Sequence, residues 1–268
     1  MLIVVAIPAA AADVSAWDND TRSSIRLIGA SAARDGAVPA LRAGVELKLQ
    51  AGWKTYWRYP GDAGVPPVFD FSRSENVKSA TVLWPAPARF ADGSGYSIGY
   101  KGSVIFPLRI VPQDATKPVR LRLNLDYAVC ETLCIPAKGK AELVLAREAG
   151  SQETALRAAE ARVPKLRHVG DGASFAIGKV WRDGTSGKPQ VFVEVAAPAG
   201  ADVDLFAEGP SADWALPLPA TVEGAASGAR RFVFEVDGLP TGATANGAML
   251  KLTATAGQDA IEAVFRLD

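Results

Sequence analysis

Cysteine, histidine and methionine are almost missing from this 268-residue chain, which holds two cysteines, one histidine and two methionines. A closed zinc site needs four ligands, and besides Cys130 and Cys134 the sequence offers only His168, Met1 and Met249, all far away along the chain. No metal site is expected, and Cu(I) held by the two thiolates is a minor reading. A Cys-His nucleophilic couple is equally poorly supported, because His168 falls in a linker. A disulfide-dependent small domain would carry several bridges, and one pair cannot supply that framework. Charge imbalance is missing too: Lys+Arg and Asp+Glu are equal at 29 each. Nothing therefore favours nucleic acid or an anionic membrane, and the expected partners are proteins. Long apolar runs are also lacking. No stretch approaches the roughly 18 apolar residues of a transmembrane helix, so no membrane span of its own is expected.

What the chain does have is strand patterning. With 49% hydrophobic and 22% charged residues it can bury a sizeable core, and its length suits two domains of ordinary size. Met1 to Ala12 is a short apolar run ending in small residues, as the hydrophobic and cleavage regions of a secretory signal do. No basic stretch precedes it, so residues 1–12 are read as a signal-peptide remnant and the rest as exported. From Ser24 to Ala146, segments beginning at Ser24, Val45, Thr81, Val104 and Val119 are short, β-rich and alternating, with Gly, Pro and Asp between them. Ser151 to Val163 breaks the pattern with good helix formers, Leu156, Ala159 and Val163 on one side, until Pro164. Strand patterning returns with segments from Phe175, Val191, Val203, Arg231, Leu250 and Ala260. The expected fold is all-β: two immunoglobulin-like β-sandwich domains, 13–148 and 171–268, joined by a helix and linker at 149–170.

Both cysteines lie in Leu123-Asn-Leu-Asp-Tyr-Ala-Val-Cys-Glu-Thr-Leu-Cys-Ile-Pro136. Leu121, Leu123, Leu125 and Tyr127 share one face of the preceding strand, while Arg120, Arg122, Asn124 and Asp126 share the other. A core face thus leads directly to the cysteine turn. Two thiols so close together can bridge when the geometry allows, but closing so short a loop contributes only about 2 kcal/mol. The pair is a poor staple, and short or exposed bridges are the ones that exchange. An inert bridge pinning a strand end remains the alternative. Reactivity depends on nearby charge: Lys138, Lys140 and Lys101 would favour a thiolate, Glu131 and Asp126 oppose it, and their balance is not readable from sequence.

A second cluster is aromatic: Trp53, Trp57 and Tyr59 on one face of a strand, Tyr56 on the other. Sandwich core is the favoured use over ligand stacking. Asp213-Trp214, before Leu216-Pro-Leu-Pro219, reads as a turn with one core tryptophan in preference to an interaction loop.

Three blocks in this order resemble the N-terminal periplasmic domain of the DsbD/ScsB family of thiol:disulfide interchange proteins: residues 51–67 (Ala-Gly-Trp-Lys-Thr-Tyr-Trp-Arg-Tyr-Pro-Gly-Asp-Ala-Gly-Val-Pro-Pro), 99–108 (Gly-Tyr-Lys-Gly-Ser-Val-Ile-Phe-Pro-Leu) and 127–136. The resemblance covers about residues 20–147. It implies an immunoglobulin-like domain whose cysteine pair takes electrons from a membrane-embedded thiol reductase. The pair then passes them to periplasmic thioredoxin-like or disulfide-carrying proteins. Carried over, Cys130 and Cys134 match the redox pair and Tyr56 with Trp57 match the aromatic strand beside it. The segment from Ala91 to Tyr100, with Asp92, Tyr96 and Tyr100, stands where the family has a covering loop, giving these residues a shielding or partner-contacting role. The sequence departs from the best-known members in separating its cysteines by fewer residues. It also reads Asp92-Gly-Ser-Gly95 where they carry a bulky aromatic, with Tyr96 as the substitute.

The functional expectation is therefore a periplasmic thiol:disulfide oxidoreductase, needing no cofactor and working as one link in an electron relay, with Cys130 and Cys134 catalytic. The rival is a non-catalytic exported binding or adaptor module with a structural disulfide.

Overall fold

The computed structural model describes residues 13–35, 38–62, 64–93, 95–145, 150–184, 189–225 and 228–268. The expected signal remnant at 1–12 lies outside them. The protein is all-β apart from one helix among the described residues, and its strands form two immunoglobulin-like sandwiches. The two compact units interleave along the chain. One comprises residues up to Thr55, Pro67–Leu83 and Lys101–Ala161; the other comprises Tyr56–Pro66, Trp84–Tyr100 and Arg162–Asp268. The sequence reading divides the chain into 13–148, a helix and linker at 149–170, and 171–268; periodicity reports strands but not which sheet a strand joins.

In the first unit one sheet runs Asp18–Asn19, Ser23–Gly29, Val38–Leu49, Ser103–Pro112, Val77–Val82, with Ala33–Asp35 on the third strand. The facing layer is built on Val119–Cys130, which pairs with Cys134–Leu145, with Val68–Asp70 and with the first two residues of Lys54–Gly61. The alternation read from sequence holds here. Leu121, Leu123, Leu125 and Tyr127 are buried, while Arg120 and Arg122 turn outward to Glu142 at 2.5 and 2.8 Å. Layer meets layer through Phe69 edge-on to Phe106 (5.2 Å) and Tyr127 Oη hydrogen-bonded to Ser23 Oγ (2.7 Å). Gly139 permits close approach: a Cβ there would lie 2.4 Å from Ile25 Cδ1 on the facing sheet.

The helix Glu153–Ala161 belongs to this unit. Leu156 packs on Ile28 and Ala30. Glu153 and Glu160, seven residues and so two turns apart, share a face, and the buried Arg42 reaches both at 2.6 Å. Arg109 adds a second cation on Glu160 (2.6 Å), and Ser31 donates its N–H and Oγ–H to Glu153 at 3.0 Å.

The second unit packs two four-stranded sheets. Lys165–Leu166, Asp259–Leu267, Ala248–Ala256 and Val203–Glu208 form one; Ala176–Asp183, Gln190–Ala196, Ala229–Glu235 and Ala220–Val222 form the other. Their inner faces supply Val191, Val193, Val195, Leu205, Phe232, Phe234, Leu250 and Leu252. Trp214 is buried in this core, as its turn context implied. Lys165 and Leu166, read as linker, instead pair in parallel with Ile261 and Glu262, and His168 just beyond is exposed.

Residues 56–66 and 84–100 are built into this second unit by aromatic and ionic anchors. Trp57 is fully buried against Phe206, with ring centroids 5.7 Å apart. Arg58 forks onto Glu208 (2.9 and 2.7 Å) and also reaches Glu262 (2.5 Å). Tyr59 donates its hydroxyl to the Leu216 carbonyl, and burial pushes its pKa up to about 12. Arg89 is bidentate on Asp204 at 2.7 and 3.1 Å. Burial nevertheless holds the Asp204 carboxyl above its usual pKa.

Two outcomes are expected. The Arg42 hydrogen bond lowers the Glu153 pKa from 4.5 to about 2. A depressed carboxylate stabilises the fold above its unfolded pKa, and that stability is lost as pH falls through the folded value. Thermal melts should therefore show the Glu153→Gln variant weaker than the parent at pH 7, with the gap closing between about pH 4.5 and 2. Replacing Arg58 by Met strands two mostly buried carboxylates, and denaturant titration should show a loss of roughly 3 kcal/mol.

Candidate functional site

Cys130 closes the strand Val119–Cys130, and Cys134 opens Cys134–Leu145 directly opposite it, so three residues form the hairpin loop. Their Cα atoms stand 4.1 Å apart and a disulfide joins them. The close spacing follows from cross-strand register, since opposed residues of an antiparallel pair have Cβ atoms within bridging distance. Inside the loop the Glu131 N–H donates to the Leu133 carbonyl (3.3 Å).

The two sulfurs have unequal surroundings. From Tyr127 to Cys130 alternation gives way to four consecutive buried residues, and Cys130 is only 1% exposed. Cys134, Ile135 and Pro136 are all exposed, and Leu133 is 75% exposed. The cause is the strand Lys54–Gly61, whose first residues cover the far side of the Cys130 strand. Thr55 faces Val129 and Lys54 faces Cys130, while Thr55 Oγ1 donates to the Ala128 carbonyl at 2.9 Å. Among the described residues Cys134 lies on the outer strand of the layer, with a strand neighbour on one side only.

Lys54 and Thr55 were missed as site residues, although both lie inside the first resembling block. Among the described residues Lys54 is one of the few buried charges, and its backbone stands opposite Cys130. No sequence signal separates it from an ordinary strand-end lysine. Gly52, with φ +88, turns the chain into that strand, and Glu131 Oε1 lies 2.4 Å from where its Cβ would be. Of the charges weighed from sequence, Lys138 pairs with Asp126 at 3.0 Å, and Lys140 donates its backbone N–H to Asp18 (2.7 Å).

The expected shielding residues all lie in the second unit. Tyr56, Trp57 and Tyr100 are buried, and the Tyr100 hydroxyl donates to the Pro85 carbonyl (2.8 Å). Ala88–Asp92 and Gly95–Lys101 form a hairpin that sets Asp92 opposite Gly95 and Tyr96 opposite Ala91. Asp92 accepts from Ser97 Oγ (3.2 Å). The half-exposed Tyr96 donates its N–H to Asp62 (2.8 Å) and carries the Arg89 guanidinium 5.6 Å over its ring. Trp53 is buried ahead of the strand, and Trp57 and Tyr56 are both buried on it, as the core reading of the aromatics required. A cleft of about 430 Å³ in this unit is lined by Tyr59, Trp214 and Lys251 with Arg58 and Glu208, whose charges are paired with each other. Among the described residues no three His, Cys, Asp or Glu side chains gather as metal ligands, and no helix is long and apolar enough to cross a membrane.

Residues 31–146 match the family model described as the N-terminal domain of the thiol:disulfide interchange protein DsbD. This segment is similar to the DsbD N-terminal family. It contains the whole cysteine hairpin and the Lys54–Gly61 strand. The chain is also similar in fold to the crystal structure of the N-terminal periplasmic domain of ScsB from Proteus mirabilis. The TM-score is 0.74 at 20% identity, covering 96% of this chain and 98% of that one. That likeness extends the shared fold beyond the DsbD segment into the second sandwich. No curated protein matches the chain.

A bridge with a sequence separation of 4 stabilises the DsbD-type segment little. Reduction should lower unfolding free energy by about 2 kcal/mol, leaving circular dichroism unchanged below the transition. A loss several times larger, or unfolding on reduction, would mark the bridge as structural.

Proposed function

We propose that the Cys130–Cys134 bridge is a thiol-disulfide exchange site that accepts electrons from a reduced partner and hands them to a protein disulfide. The carrying observation is the asymmetry of the bridge: one sulfur at the surface, the other buried behind Lys54 and Thr55. Exchange proceeds by thiolate attack on a disulfide sulfur, and access decides which sulfur is attacked. An incoming thiolate attacks Cys134 Sγ, the Cys130–Cys134 bond breaks, and Cys130 leaves as a thiolate. The donor's second thiolate then attacks its own sulfur in the mixed disulfide and releases Cys134. The donor dithiol ends as a disulfide, and its two electrons and two protons rest on Cys130 and Cys134. Run in reverse against an oxidised partner, the same steps deliver them onward.

The DsbD-type segment supports this chemistry in general. The finer reading is a periplasmic relay, fed by a membrane-embedded thiol reductase and emptied by thioredoxin-like or disulfide-carrying proteins. It rests on the family description and on the periplasmic origin of the similar ScsB domain. No cofactor enters the reaction as written. In this reading Tyr96 is the one of the five expected shielding residues with appreciable side-chain surface for a partner. Tyr56, Trp57 and Tyr100 act by packing, and Asp92 holds the hairpin.

Equilibration in graded thiol/disulfide buffers, followed by alkylation and mass measurement, tests the proposal. The pair should titrate reversibly within roughly −270 to −120 mV, the span of known exchange proteins. The Cys130→Ser variant should accumulate a mixed disulfide through Cys134, whereas Cys134→Ser should trap at least tenfold less. A pair that stays oxidised below about −300 mV until the fold melts would leave the adaptor reading with its structural bridge.

A further inference from the structure

We propose that Leu133 and Ile135 are the docking contact that admits a folded protein, with apolar side chains ringing its reactive sulfur, in preference to a small thiol. The inference rests on the exchange reading above.

Eight large apolar side chains are strongly exposed among the described residues, and two of them immediately flank the exposed cysteine: Leu133 at 75% and Ile135 at 43%. Single exposed leucines are ordinary on protein surfaces. Here the position matters, because in the mixed disulfide the partner's sulfur is bonded to Cys134 Sγ. A partner protein bonded at Cys134 Sγ covers the hairpin tip, where Leu133 stands in the loop, while Ile135, one residue on in the strand, projects from the opposite face and is reached at the strand edge. A partner with apolar rim atoms removes Leu133 and Ile135 from water, and a small hydrophilic thiol leaves them wet.

The neighbouring surface disfavours the other ways of docking. Cys134–Leu145 is an outer strand, which could recruit a partner by strand addition. In an antiparallel ladder alternate residues point their N–H and C=O away from the paired strand. Lys140 does so, since its N–H is taken by Asp18 Oδ2 (2.7 Å). Pro136 and Lys138 share that parity. Pro136 has no N–H to offer, and Lys138 places a charged side chain beside it. Electrostatic steering toward one sign is weak, because Lys138 is paired with Asp126 at 3.0 Å and the remaining exposed charges, Glu131 and Lys140, are of opposite sign. What the hairpin tip presents beside Cys134 is apolar side chain.

The test measures reduction of the full chain by reduced thioredoxin and, in parallel, by dithiothreitol. Parent, Leu133→Asp, Leu133→Ser, the Leu133→Ser/Ile135→Ser double variant and a Thr132→Asp charge control are compared. With thioredoxin, Leu133→Ser should slow the second-order rate about tenfold and the double variant more, tenfold corresponding to about 1.4 kcal/mol of lost contact. Dithiothreitol rates and the redox equilibrium constant should stay within about twofold of the parent. The Thr132→Asp rate should match the parent with both reductants. The docking role is overturned if the Ser variants react with thioredoxin like the parent, if both reductants slow equally, or if only Leu133→Asp and Thr132→Asp are slow. If neither reductant opens the bridge in the folded parent, the exchange reading itself fails and docking falls with it.

Discussion

The antiparallel pairing of Val119–Cys130 with Cys134–Leu145 is the constraint on which the site depends. Both strands run 12 residues, and the register holds without a shift from Val119↔Leu145 to Cys130↔Cys134. A one-residue slip would turn every side chain of one strand to the other face, moving Leu121, Leu123 and Leu125 out of the core. The register that buries those leucines is therefore the register that sets the two cysteines opposite each other. Core packing positions the disulfide, and the disulfide adds little to the core.

Unequal neighbours then make the two sulfurs chemically distinct. The Cys130 strand has partners on both sides, and the Cys134 strand has one. A sulfur between strands is screened from attack, and one on an outer strand beside a three-residue loop is open to it. No charged group or metal is needed to create this difference. It is a property of strand order, reinforced by Thr55 bonding to the Ala128 carbonyl.

The Lys54–Gly61 strand has two duties along its length. Lys54 and Thr55 pair beside the redox strand, and Trp57, Arg58 and Tyr59 anchor in the second unit through Phe206, Glu208, Glu262 and the Leu216 carbonyl. The second sandwich has no cysteine, and its one histidine is exposed. Its distinguishing chemistry is instead a pair of mostly buried arginine–carboxylate clusters around Arg58 and Arg89. Partly desolvated pairs of this kind cost much when broken, while contributing modestly when intact.

Alternation of Leu121, Leu123, Leu125 and Tyr127 with charged residues made the hairpin's first strand readable, because a half-buried strand must repeat every two residues. Most strands of the second sandwich, and the helix before Pro164, were readable for similar local reasons. The strand after the cysteines was not: Cys134-Ile-Pro-Ala-Lys-Gly begins with three exposed residues, and its proline and glycine look like turn markers. Nor could sequence show that residues 56–66 and 84–100 pack with the C-terminal half. Arg58 and Glu208 are 150 positions apart, and a charge carries no mark of its partner until the fold brings them together. By itself the sequence determined the all-β class, the short helix, the cysteine pair and its family likeness, since each depends on neighbours within a few residues. Only the tertiary structure decided which sulfur is open, that Lys54 stands beside the buried one, and how the chain divides into compact units. Those are matters of sheet order and long-range burial, to which local periodicity is blind.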